Sequence, residues 1–132
     1  MKYTFEFLKN KSELNEFETK DYHFKKECEF IVARNGEICG LVGFYLKREF
    51  YPELKHIYLK EGIARRIGII LISKMEDYFK KQGYKEYVAF VRNDKNNIQQ
   101  FAQRLNFLPY IGTEKGVWFI KQLDKEKKCL QS

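Results

Sequence analysis

The longest amphipathic pattern in the sequence lies between residues 67 and 82. Mostly apolar positions recur there at steps of three and four, the spacing of one face of an α-helix. These positions are Ile67, Leu71, Met75, Tyr78 and Gln82, with Ile70 and Phe79 beside them. The breadth of this stripe predicts a long core helix, and Gly83 is the residue expected just beyond its end.

The N-terminal segment predicts a strand followed by a short helix. Tyr3 and Phe5 alternate with polar residues across Lys2–Leu8, which is the period of a half-buried strand. Ser12, followed by acidic residues and two spaced apolar residues, predicts a capped helix that ends near Glu18.

The strongest local signal is a β-hairpin in the first half of the chain. Two runs rich in β-formers, Glu29–Arg34 and Glu37–Leu46, flank the dipeptide Asn35-Gly36. Asn-Gly supplies the positive φ angles of a two-residue hairpin turn, so the pattern predicts antiparallel pairing. The preceding segment, Thr19–Lys26, has no clear period, and either a loop or a second short helix fits it.

Strands are also predicted on both sides of the long helix. Leu54–Leu59 precedes the helix and Tyr84–Val91 follows it. A strand, a crossover helix and a second strand form a right-handed unit with parallel strands. The near-continuous apolar run Tyr87–Val91 predicts burial on both faces of the second strand.

The last third of the chain predicts a helix and a second hairpin. The helix has capping side chains near its start and one apolar face. The caps are Asn93, Asp94 and Asn96, and the face is Ile98, Phe101, Ala102 and Leu105. Phe107–Tyr110 and Gly116–Leu123 then read as two strands around a glycine-bounded turn.

Together these elements predict a mixed α/β (α+β) domain. It has a central mixed sheet of six to seven strands, a βαβ crossover and flanking helices. A chain of 132 residues is long enough for one ordinary core, so we expect a single domain over residues 1–123 and a charged tail over residues 124–132.

Composition and charge narrow the classes of ligand. Hydrophobic residues make up 44% of the chain and aromatic residues 17%, which excludes a disordered polypeptide. The net charge of +7 favours an anionic ligand or surface, such as a nucleotide, a nucleic acid or a membrane. Lysines spread along the whole chain are also typical of simple solubility, and both interpretations stand.

The cysteines and apolar runs bear on the compartment. Cys28, Cys39 and Cys129 are odd in number and show no C-x-x-C spacing, so neither a disulfide framework nor a cysteine-based zinc site is expected. A reducing cytoplasm is the expected location. No apolar run approaches the roughly 20 residues of a membrane span, and Met1–Lys11 lacks the apolar region of a signal peptide.

The start of the long helix is the candidate site of chemistry. The first N–H groups of a helix have no partner within it, and the helix dipole there favours negative charge. Arg65, Arg66 and the side-chain-free Gly68 lie where a phosphate could approach the backbone. His56, in the preceding strand, fits a base, a metal ligand, or simply a histidine that faces solvent or is satisfied within the core.

Two segments carry a resemblance to a known family. The segment YLKEGIARRIGIILI is similar to the pyrophosphate-binding motif Q/R-x-x-G-x-G/A, and FAQRLNF is similar to F-Y-E-K-L-G-F. With the order of elements from Glu29 to Leu123, the chain resembles the GNAT superfamily of acyl-coenzyme A-dependent N-acyltransferases. The preferred motif register is Ile63, Arg66 and Gly68, and the alternative register is Arg65, Gly68 and Ile70.

The resemblance implies a cofactor, acetyl-coenzyme A, and a set of residues that hold it. In this family the cofactor's pantetheine arm lies between the two splayed parallel strands, where Leu59 would face it through its backbone. The pyrophosphate would be held by Arg65, Arg66, Ile67, Gly68 and Ile69. Asn96 would either touch the cofactor or only cap its helix.

The resemblance also implies direct acyl transfer to an amine, without a metal. The family's usual general acid is the tyrosine of F-Y-E-K-L-G-F, and Ala102 stands there, so Tyr110 or Tyr58 is the candidate substitute. Glu53 is the candidate general base, with a solvated loop carboxylate as its alternative. The implied partners are acyl-coenzyme A and an amine acceptor on a small molecule or protein. The alternative function is a non-catalytic binding module of the same fold that contacts nucleic acid or another anionic partner. We expect no membrane association and either a monomer or a homodimer.

Overall fold

The computed structural model describes residues 2–18, 23–25, 27–46, 51–92, 100 and 102–123. Its strands are β1 Thr4–Phe7, β2 Glu29–Asn35, β3 Glu37–Tyr45, β4 Glu53–Leu59, β5 Glu86–Arg92, β6 Leu108–Gly112 and β7 Gly116–Gln122. The long helix, α1, spans Arg65–Lys81, a short 3-10 helix spans Lys11–Phe17, and residues 100 and 102–104 are helical.

The seven strands form one mixed sheet, as the sequence pattern predicts. Their hydrogen-bonded order is β1-β2-β3-β4-β5-β7-β6. β1 and β2 are antiparallel, β2 and β3 form the predicted hairpin, and β7 pairs antiparallel with both β5 and β6. Strands β4 and β5 pair in parallel, Glu53 with Val88 and Leu54 with Ala89. This parallel pairing confirms the βαβ crossover through α1.

The described structure divides into two compact units. The first comprises Met1–Tyr45 and Lys55–Tyr78, and the second comprises Leu46–Leu54 and Phe79–Ser132. In the first unit, one core cluster fills the space beside the 3-10 helix. Its buried members are Leu8, Leu14, Phe24, Cys28, Phe30, Val32, Ile38 and Leu41.

Helix α1 buries most of the stripe that its sequence predicts. The fully buried residues are Ile67, Leu71, Ile72, Met75 and Phe79. Ile70 and Tyr78 are only half-buried, and Gln82 is exposed because the helix ends at Lys81. Gly83 has a φ of +90° and donates its N–H to Lys80, while Tyr84 donates to Phe79. This pair of bonds confirms Gly83 as the residue that ends the helix.

The core of the second unit is aromatic. The ring of Tyr87 lies 5.2 Å from the ring of Phe79 and 5.3 Å from that of Phe107, measured between centroids. Tyr87, Ala89 and Val91 are buried, whereas the alternate residues of β5 are half-buried or exposed. The predicted burial on both faces of β5 is therefore uneven: one face is fully covered and the other is only partly covered.

Two local predictions differ from the structure. Asn10, not Ser12, caps the first helix: its side chain accepts from the Ser12 N–H at 3.1 Å, and the helix is 3-10 rather than α. In the first hairpin only Gly36 has a positive φ, +82°, and Asn35 is paired with Glu37. A register shift between Ala33 and Arg34 accompanies this tighter turn, so the chain reverses with one left-handed residue instead of two.

Several predicted features fall outside the described residues. These are the helix caps Asn93, Asp94 and Asn96, most of the segment 19–26, and the tail 124–132.

Candidate functional site

The segment that joins β4 to α1 is a tight and well-bonded turn in the first unit. Gly62 has a φ of +87°, a conformation that glycine adopts without steric cost. The Ile63 N–H donates to the Lys60 carbonyl at 3.1 Å, and the Ile67 N–H donates to the Ala64 carbonyl at 3.0 Å. The turn therefore delivers the chain directly into the first turn of α1.

The first turn of α1 is suited to an external anion. Ala64, the residue before the helix, has no side-chain oxygen with which to cap it, and the first turn holds no acidic residue. Arg65 and Arg66 are both exposed. Because the first N–H groups of a helix lack partners within it, their dipoles and the two guanidinium groups act together on an approaching negative charge.

Gly68 lies in the same helical turn but faces the sheet. It is buried, and a Cβ placed on it would lie 3.3 Å from Leu59 Cδ1 and 3.9 Å from Ile57 Cδ1. The absent side chain thus lets α1 pack closely against β4. The neighbouring Ile67 is only 1% exposed, so its side chain belongs to the core and only its backbone faces the helix start.

Two exposed isoleucines flank this helix start. Ile57 on β4 is 37% exposed and Ile69 on α1 is 43% exposed. Leu59 is half-buried beside them. These residues form an apolar strip beside the basic helix start. The sequence does not mark Ile57 as a site residue, because it follows the alternation of an ordinary strand.

The turn is tied to the hairpin that precedes it. The Lys60 N–H donates to the Cys39 carbonyl at 2.9 Å, and Lys60 Nζ forms an ion pair with Glu37 at 2.5 Å. The hydrogen bond between these side chains raises the pKa of Lys60 and lowers the pKa of Glu37. The Lys60 ammonium also lies 5.9 Å from the centroid of the Phe17 ring. Lys60 is therefore a fixed positive charge at the entrance of the turn.

His56 is a packed core residue on the other face of β4. It is 4% exposed, its Nε2 accepts the Lys25 backbone N–H at 3.0 Å, and its ring lies 5.2 Å from that of Phe24. Burial, with the nearby charges of Lys55 and Lys25, lowers the pKa of His56 to about 4. Of the interpretations open from the sequence, the structure supports the histidine satisfied within the core.

The candidate catalytic residues Glu53 and Tyr110 both lie in the second unit. Glu53 is the first residue of β4 and is 4% exposed, so it is not the solvated loop carboxylate of the alternative interpretation. Tyr110 lies on β6 and is 52% exposed. Ala102, which the resemblance aligns with a tyrosine, is helical and 8% exposed. Asn96 lies outside the described residues.

Tyr58, the other candidate acid, belongs to the aromatic cluster of the first unit. Its ring lies 5.5 Å from that of Phe17 and 6.5 Å from that of Phe24. In the second unit, the negative charge of Glu86, followed by a hydrogen bond to that carboxylate, raises the pKa of Tyr51. Tyr51 and Glu86 are 35 positions apart, and no local pattern in the sequence could have linked them.

Other classes of site find no support within the described ranges. No group of three His, Cys, Asp or Glu side chains there is arranged to hold a metal ion. Cys28 and Cys39 are buried, and neither forms a disulfide within the described residues. None of the described helices combines the length and the apolar character that a membrane span requires.

The mixed sheet and the basic start of its crossover helix place this chain among α/β proteins whose βα turns are suited to an anion. A model of the GNAT acetyltransferase family matches residues 2–107. The chain therefore belongs to the GNAT acetyltransferase family. A search of curated proteins finds no match to the sequence.

Solved structures of acetyltransferases share the fold. An N-acetyltransferase from Staphylococcus aureus Mu50 superposes with a TM-score of 0.72 at 14% identity, over 93% of this chain and 99% of that one. The ribosomal-protein-S18-alanine N-acetyltransferase of Escherichia coli gives 0.72 at 13% identity, over 92% and 94%. The PaiA N-acetyltransferase of Thermoplasma acidophilum, in complex with coenzyme A, gives 0.67 at 21% identity; the match covers 73% of this chain but only 61% of that one.

Proposed function

We propose that this protein is an acetyl-coenzyme A-dependent N-acetyltransferase that transfers an acyl group to a primary amine of a small molecule or protein. The observation that carries the proposal is the start of α1. The helix follows a left-handed glycine turn, is preceded by Ala64, which has no capping side chain, and begins with the exposed Arg65 and Arg66. Family membership and a solved relative that contains coenzyme A support the same cofactor.

The cofactor would divide into two parts over this surface. Its pyrophosphate would lie at the helix segment Arg65–Ile69, accept hydrogen bonds from the first N–H groups of that segment and interact with the two guanidinium groups. Its pantetheine arm, which alternates amide and apolar groups, would follow the backbone of Leu59 and the exposed strip of Ile57 and Ile69. Asn96 remains a predicted contact or helix cap.

The chemistry would be a direct displacement at the thioester. A neutral amine nitrogen attacks the carbonyl carbon, the C–S bond breaks, and coenzyme A leaves as a thiolate that takes up a proton. We assign Glu53 as the base that receives the amine proton, directly or through water, and Tyr110 as the donor to the thiolate. Much of the rate would come from holding the two reactants together.

The decisive experiment is calorimetric titration with coenzyme A and acetyl-coenzyme A. Micromolar binding that weakens as salt rises is the expected result, because the contacts are largely with phosphate. A thiol-release assay across a panel of primary amines then measures transfer. The absence of heat with either cofactor would overturn the proposal.

A second candidate is a catalytically inactive binding module that contacts nucleic acid or another anionic partner. It is favoured by Ala102, whose buried methyl group supplies no proton where the family places a hydroxyl, and by the net charge of +7. Coenzyme A binding without thiol release, together with retention on nucleic acid that falls steeply with salt, is the outcome that would favour this candidate. For either function, we propose the cytoplasm as the location, supported by Cys28 and Cys39, which are buried and form no disulfide within the described residues.

A further inference from the structure

One side chain, that of Leu59, occupies the space beside two glycines. A Cβ on Gly68 of α1 would lie 3.3 Å from Leu59 Cδ1, and a Cβ on Gly40 of β3 would lie 2.8 Å from Leu59 Cδ2. The two branches of this leucine therefore fill the positions that both glycines leave empty. Helix α1, strand β4 and strand β3 meet at this residue.

The space beside Gly40 that the Leu59 side chain enters is closely lined. Besides the contact with Leu59, a Cβ on Gly40 would lie 3.2 Å from the Tyr58 backbone oxygen and 3.4 Å from Leu71 Cδ1. Leu71 is fully buried, and backbone cannot rotate aside as a side chain can. A methyl group added at Gly68 would press on Leu59 at 3.3 Å, so either the leucine side chain or the helix would have to shift by a few tenths of an ångström.

The contact between Leu59 and Gly68 closes a short loop. The chain between them contains the Gly62 turn and the first turn of α1, including Arg65 and Arg66. One end of this loop is held to β3 by the hydrogen bond from the Lys60 N–H to the Cys39 carbonyl. The packing of Leu59 against Gly68 holds the other end, so it sets where the free N–H groups of the helix start lie relative to β4.

We propose that Gly40, Leu59 and Gly68 form a packing lock that positions the helix start for the cofactor. In this inference Gly68 acts as a positioning residue, because its missing side chain seats Leu59, and not because a phosphate touches its backbone. The inference rests on the proposed function, since the cofactor whose binding it governs is coenzyme A. It assigns a role to Gly40, a residue 28 positions away that belongs to no cofactor motif.

The test is the dissociation constant for coenzyme A, measured by calorimetry on the full chain. Gly68→Ala and Gly40→Ala are each expected to weaken binding about tenfold, because each displaces Leu59 or the helix. Adding Leu59→Ala to either variant removes the clash with the leucine side chain and is expected to restore binding to within about threefold of Leu59→Ala alone. Gly43→Ala, on the same strand as Gly40, is the control: its Cβ would meet Phe30 at 2.6 Å and leaves Leu59 untouched, so folded protein should bind normally.

The possible outcomes separate the explanations. Suppose that Gly68 instead touches phosphate. Gly68→Ala would then weaken coenzyme A binding, the added Leu59→Ala change would not restore it, and Gly40→Ala would bind as the unchanged protein does. This result overturns the lock. Unchanged binding in both glycine variants also overturns it. If Gly68→Ala does not fold, the Gly40→Ala pair with and without Leu59→Ala gives the same decision. A wild-type chain that does not bind coenzyme A overturns the proposed function first, and the lock with it.

Discussion

Acidification should destabilise this protein through one buried histidine. His56 is 4% exposed, and its Nε2 accepts the backbone N–H of Lys25. Protonation would turn this acceptor into a donor that faces another donor, in a pocket walled by the rings of Phe24 and Phe30. The charges of Lys55 and Lys25 add repulsion, and burial is the largest cause of the lowered pKa.

The sign and size of the effect follow from linkage. The unfolded chain takes up a proton on His56 near pH 6.5, whereas the folded protein does so only near its pKa of about 4. The unfolded state therefore binds more protons between these values, and stability falls as pH falls through that window. Integrating the two titrations gives a loss of about 2 kcal/mol between pH 7.5 and pH 5, with little change above pH 7.

Urea unfolding, followed by far-ultraviolet circular dichroism between pH 7.5 and pH 5, measures this loss. With a denaturant slope of about 2 kcal/mol per molar, the midpoint should fall by about 1 M. His56→Gln keeps a hydrogen-bond acceptor without titrating, so it should be less stable at pH 7.5 but nearly flat down to pH 5. The control is His23→Gln, since His23 is the other histidine and its side chain is 69% exposed. Parallel profiles for His56→Gln and the unchanged protein would refute the reasoning.

Three further predictions follow. Gly116→Ala should lose about 2 kcal/mol or more of stability in thermal or urea unfolding, because its Cβ would lie 2.3 Å from the Val91 carbonyl oxygen. In Gly112→Ala, in the same hairpin, the added Cβ would meet nothing within 4 Å, so its stability should stay within about 0.5 kcal/mol of the unchanged protein. Equal losses in the two variants would contradict the packing argument. Arg66→Glu should stabilise the helix start by about 0.5 kcal/mol, yet it should weaken coenzyme A binding at least tenfold in calorimetry. The control is Lys74→Glu, which changes an exposed lysine on the same helix and should leave binding nearly unchanged. Similar affinities of the two variants would argue against a pyrophosphate at the helix start. Tyr110→Phe should lower the turnover number by about 10-fold to 100-fold with little change in affinity for coenzyme A, and unchanged turnover in a thiol-release assay would remove Tyr110 from the mechanism.

Local patterns predict the elements of this chain well, because they depend on neighbouring residues. The period of α1 and the glycine after it place the helix to within about two residues at each end. The Asn35-Gly36 pair places the first hairpin, although its turn has one left-handed residue where two were predicted. The prediction of Ser12 as a cap was wrong because Asn10, two residues earlier, offers the same chemistry and its side-chain oxygen is the acceptor in the structure.

The candidate site was predictable in part. The basic helix start is visible in the sequence, since Arg65 and Arg66 come directly before the apolar stripe that begins at Ile67. The role of each neighbour was not visible. Ile67 and Gly68 read as equivalent parts of one motif, yet both are buried, and only packing shows that Gly68 faces Leu59.

The sequence by itself determined the order of strands and helices, the polarity of the crossover helix and the charge at its start, because each of these is written in residues a few positions apart. Only the tertiary structure decided which residues meet across long separations. His56 joins Lys25, and Gly40 joins Leu59, through contacts in which each partner is an ordinary residue of its own strand or loop. The physical reason is that burial and close packing depend on the neighbours that the folded chain brings together, and local periodicity does not encode them.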